Sequence, residues 1–99
     1  MTVVHVIIAR SKPSAGSNVA GFVAGVKAAY EKVASVKSVR VGESINSAEQ
    51  NKGFNFALVL EFEDEAALKK YLEHPETQAK KAEHLDAKAE ESIIIDFKY

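Results

Sequence analysis

The segment Val3–Arg10, VVHVIIAR, is apolar on both faces that a β-strand presents. Side chains alternate across a strand with a period of two. Val3, His5, Ile7 and Ala9 therefore point one way, and Val4, Val6 and Ile8 the other. FNFALVLEFE repeats the pattern: Phe54, Phe56, Leu58, Leu60 and Phe62 share one face, with Asn55, Ala57, Val59 and Glu61 opposite. The terminal SIIIDFKY sets Ile93, Ile95, Phe97 and Tyr99 against Ile94 and Asp96. A sheet made of such strands must be covered on both sides. A chain of 99 residues is one small domain with a core but little surplus stability, so a partner subunit is the natural second cover.

The segments between the strands supply the first cover. SKPSAGS marks a loop, and SNVAGFVAGVKAAYEKVASV then places Val19, Phe22, Val23, Val26, Ala29, Tyr30 and Val33 at helical intervals, with Ser17 or Asn18 as N-cap. Gly21 and Gly25 each cost this helix about 1 kcal/mol relative to Ala; spaced four apart, they suggest close approach to the sheet. VRVGESI alternates briefly as a strand before the polar loop NSAEQNKG. Asp64 caps EAALKKYL, His74-Pro75 breaks the helical pattern, and a second helical stretch runs on to Leu85. The order is βαββαβ, which predicts an α+β, ferredoxin-like fold with an antiparallel four-stranded sheet and residues 1–99 as a single domain.

Two helical segments cover only one face of four strands. The larger side chains are expected beneath the helices, leaving Val4, Val6, Ile8, Ala57 and Val59 on an open apolar face. Open faces of several hundred Å² mark interfaces. The sequence predicts a two-fold homodimer, two sheets facing each other as a dimeric α/β barrel and burying on the order of 1,500 Å² or more in total.

Composition removes several classes of partner. Thirteen Lys plus Arg against fourteen Asp plus Glu leave a net charge of -1, so no strong field draws in nucleic acid or an anionic membrane. There is no cysteine, and the three histidines lack metal-ligand spacing, so neither a metal nor a cofactor is predicted. The apolar start is too short for a membrane span and lacks a basic leader, which reads as a strand of a cytoplasmic protein.

The first strand with His5 among apolar residues, the stretch SAEQNKGFNFALVLEFED, the ALKKYLEHPETQ helix pair and the terminal IIIDFKY together resemble the stress-responsive dimeric α/β-barrel family, Dabb. The resemblance spans nearly the whole chain. It implies a small homodimer of ferredoxin-like subunits, but no single function, since the family includes plant stress proteins and a plant polyketide cyclase. In that cyclase a motif resembling H-P-x-H supplies a histidine base, aided by an upstream tyrosine. Here the motif reads HPET, with Thr77 at the position of the base and Tyr71 at that of the tyrosine. His5 matches a histidine on the pocket face of the first strand, and Phe56 stands where the cyclase has another.

The resemblance thus implies His5 and Tyr71 as candidate catalytic residues, in a pocket lined by Ile7, Phe22, Val26, Phe56 and Leu58 that suits a small hydrophobic carbonyl compound. The plain alternatives are structural. His5 also reads as a satisfied core histidine, Tyr71 as a core ring, His74 as a residue of the break between helices, and His84 as surface. With its proposed base replaced, the chain reads first as a non-catalytic stress-response dimer, second as a cyclase-like enzyme or ligand carrier. A cavity approaching ~300 Å³ beside His5 separates the second reading from the first.

Overall fold

A computed structural model describes residues 2–12, 19–83 and 89–99, and the side chains of these except at positions 19, 20, 22 and 80. The elements run β1 (Val3–Ser11), α1 (Val19–Glu31), β2 (Ser38–Glu43), α2 (Ala48–Asn51), β3 (Phe56–Phe62), α3 (Glu65–Glu73), α4 (Pro75–Lys81) and β4 (Ala89–Lys98). Every strand pair is antiparallel, in the order β2-β3-β1-β4. The fold is α+β and ferredoxin-like, with four helices among the described residues. None of them is long and apolar enough to cross a membrane.

The register assigns the two faces. Residues directly opposite on antiparallel strands share a face. His5 lies opposite Leu60 and Asp96, and Ile7 opposite Leu58 and Ile94. Val3, Ile7, Ala9, Phe56, Leu58, Leu60 and Phe62 are buried with Val26, Tyr30, Leu68 and Tyr71 from the helices, and this is the core. On the other face Val6 lies opposite Val59 and Ile95, Ile8 opposite Ala57 and Ile93, and Val4 opposite Phe97. Of the small residues expected on the open face, Val6, Ile8, Ala57 and Val59 are half-buried there, whereas Val4, 5% exposed, is already covered within the subunit.

Several expectations need correction. Ile93, Ile95 and Phe97, the bulkier set of β4, lie on the open face rather than beneath the helices, because the register turns Asp96 and Ile94 toward the helical side. This enlarges the uncovered apolar surface. The predicted loop of residues 46–53 contains the single-turn helix α2, ended by Lys52 at φ 57 and Gly53 at φ 86. Gly25 makes no close approach, since a Cβ there would meet nothing within 4 Å. The proposed caps Ser17 and Asn18 lie outside the described residues, as does His84.

The helix break is built from local bonds. Asp64 Oδ1 accepts the Ala67 N–H at 2.8 Å and caps α3. His74 caps α4: its Nδ1 accepts the Glu76 N–H at 3.2 Å, and Pro75 takes the first helical position, where its missing N–H costs nothing. Asp64→Ala is expected to cost about 1 kcal/mol by loss of the cap. Urea melts check this, and an unchanged midpoint would show that the cap contributes nothing to folding.

Candidate functional site

β1 and β4 place a histidine and a carboxylate side by side. His5 Nδ1 is 2.5 Å from Asp96 Oδ1, with the histidine side chain 2% exposed and the aspartate 37%. Their juxtaposition follows from the register, which sets His5 against Asp96 on the helical face. An aspartate at Nδ1 holds the ring proton on that nitrogen, so the lone pair lies on Nε2.

Tyr71 fixes the ring from above. It projects from the same face of α3 as Leu68, one turn earlier, and meets the His5 ring edge-on with centroids 5.7 Å apart. Phe62 and Tyr30 flank it at 5.1 and 6.2 Å. The Tyr71 hydroxyl is buried beside Tyr30 without a well-formed hydrogen bond among the described residues. Burial first, then the neighbouring Tyr30, pushes its pKa upward, so the phenol stays protonated at neutral pH. Tyr71 presents a ring to the site, not its hydroxyl.

Both residues border a cleft of about 430 Å³ whose other walls are Leu72, Thr77, Gln78, Lys81 and Ile94. Thr77 is only 6% exposed although polar, because the His74 cap and Pro75 direct the first turn of α4 inward. The Gln78 side-chain amide donates to the Leu72 carbonyl at 2.9 Å and ties α4 back to α3. Ile7, Val26, Phe56 and Leu58 do not border this cleft. They are buried in the core, Ile7 and Leu58 on the central strands and Val26 on α1, while Phe56 borders a different cleft beside β2. Phe22 is expected in the same lining, but its side chain lies outside what is described. The five expected interface residues Val4, Val6, Ile8, Ala57 and Val59 sit together on the opposite face of the sheet.

Sequence reasoning missed Asp96, and with it the polar partner that a lone His5 lacked. A usable signal was present: Asp96 is the one charge between Ile93 and Phe97, and a carboxylate within an apolar strand needs a partner. Among the described residues no three histidine or acidic side chains gather as metal ligands.

The model of the Stress responsive A/B Barrel Domain, Dabb, matches residues 3–99. The chain belongs to this family. Dabb membership agrees with the fold of solved structures. An Arabidopsis thaliana protein superposes with a TM-score of 0.84 at 19% identity, over 98% of this chain and 94% of its own. A hydroxynitrile lyase from Passiflora edulis gives 0.80 at 16% identity, over 97% and 91%. A protein of unknown function from Thermobifida fusca, described as dimeric and ferredoxin-like, gives 0.79 at 18% identity, over 100% and 92%. At these identities the likeness is one of fold. No curated protein matches the sequence.

Proposed function

We propose that this Dabb protein acts as a homodimer that binds a small, largely apolar carbonyl compound in the cleft beside His5, and that His5 takes a proton from it. The observation that carries this reading is the 2.5 Å contact between Asp96 and Nδ1 of His5, whose ring borders that cleft. A carboxylate at Nδ1 orients the imidazole and stabilises the imidazolium formed when Nε2 accepts a proton, the arrangement general-base catalysis needs. Dimerisation is supported by the open apolar face and by relatives described as dimeric.

The step is a reversible enolisation. The bond from hydrogen to the carbon beside the carbonyl breaks, the proton passes to Nε2, and the bonding pair moves to form an enolate on the carbonyl oxygen. Closure of a linear poly-β-ketone by the histidine of an H-P-x-H motif is not part of this reading, because Thr77 occupies that position. A housekeeping role without chemistry is the competing view.

Exchange of the α-protons of 4-phenylbutan-2-one in deuterated water, followed by proton NMR, separates the two. The protein should accelerate exchange and His5→Gln should abolish the acceleration while leaving thermal stability close to the parent's. Exchange no faster than buffer, across a panel of small ketones, removes the catalytic role.

A further inference from the structure

On the far side of Thr77 lies a second cleft of about 430 Å³, bordered by Lys32 and Ser35 beyond the end of α1, Lys70 on α3, and His74, Glu76 and Thr77 at the start of α4. Thr77 borders both clefts, so the two adjoin at the first turn of α4.

The chemistry of the second cleft is cationic in a chain whose net charge is -1. Among the described residues, Glu61, Glu65 and Glu91 are held by Arg40, Lys98 and Arg10, whereas neither Lys32 nor Lys70 has an ion-pair partner. His74 adds a donor. Its Nδ1 accepts the Glu76 N–H, so the ring proton lies on Nε2. The Ser35 hydroxyl adds another. Glu76 is the single carboxylate of the lining, and against two ammonium groups it leaves a net charge of one positive unit. That balance suits a carboxylate better than a dianionic phosphate.

We infer that this cleft holds the carboxylate of the molecule whose carbonyl faces His5, so that the ligand is a keto acid passing over Thr77 from one cleft to the other. The inference rests on the carbonyl reading for its second half and on Lys32 and Lys70 for its first. The cationic end sets affinity, and the His5 end sets reactivity. Esterifying the acid removes the charge while leaving the carbonyl in place.

The test uses 5-oxohexanoate and its methyl ester with isotope-labelled protein, following backbone amide shifts. The acid should bind about tenfold more tightly than the ester, moving amides of residues 32–35 and 74–77. The double variant Lys32→Gln with Lys70→Gln should lose that preference and keep the parent's affinity for the ester. Rising salt should erode the preference in the parent, an independent check should the double variant fold poorly. Equal binding of acid and ester, no binding of the acid, or a preference that survives in the double variant overturns the inference. His5→Gln should keep the acid preference without proton exchange. A parent that keeps the lysine-dependent preference but never exchanges protons would remove the catalytic reading of His5 and leave the carboxylate site standing.

Discussion

Val6→Asp should abolish the dimer. Val6 sits mid-strand on the open face, between Val59 on one neighbour and Ile95 on the other. In the assembled barrel a carboxylate there would be desolvated and, by two-fold symmetry, would occur twice. An unpaired buried charge costs several kcal/mol. The guanidinium groups near that face offer no relief: Arg40 is held by Glu61 at 2.8 Å and Arg10 by Glu91 at 2.5 Å. Sedimentation at micromolar concentration should show the parent as a dimer and the variant as monomer or unfolded chain. Because Val6 is half-buried even in the single chain, Ile95→Lys gives the cleaner comparison. Ile95 is 60% exposed without a partner, so a lysine there strains the isolated subunit little and should dissociate the dimer with the fold retained. A dimer of unchanged strength in both variants would show that this face is not the interface.

How far the sequence discloses such a surface depends on the strand. β1 and β3 declare their faces, because one side of each alternation is larger or carries a polar member. β4 does not, since Ile93, Ile94 and Ile95 are identical to either side and the phase is fixed only by pairing with β1. For the same reason the His5–Asp96 contact, which joins residues 91 positions apart, was hidden while each strand could be read alone. α2 escaped notice because four residues are one turn, too short to show a period. The remaining walls of the cleft beside His5 and Tyr71 were not legible, because periodicity marks residues that point inward without distinguishing a buried core from the wall of an opening. Ile7 and Leu58 are sealed, whereas the walls are the polar Thr77, Gln78 and Lys81 beside Leu72 and Ile94. The HPET segment did disclose its architecture: His74-Pro75 both ends one helix and begins the next.

Asp96→Asn should reduce α-proton exchange by about 10²- to 10⁴-fold, the usual span of a general base's contribution. The replacement keeps the size and planarity of the side chain while removing two things that the carboxylate supplies. It takes away the negative charge that stabilises the imidazolium once Nε2 has accepted a proton. It also lets the amide donate to Nδ1, which would move the ring proton to Nε2 and leave that nitrogen without a lone pair. Neither effect requires a change in the cleft, so binding of the ketone should be retained and the loss should appear in the rate constant rather than in affinity. The fold should tolerate the change, because Asp96 is partly solvated and its backbone bonds in β4 are unaffected. His5→Gln and Asp96→Asn act on one unit, so the double variant should be no slower than His5→Gln alone. Multiplying losses would mean that the two residues serve separate steps, and a parental rate in Asp96→Asn would mean that the contact with His5 holds β1 to β4 and has no part in proton transfer.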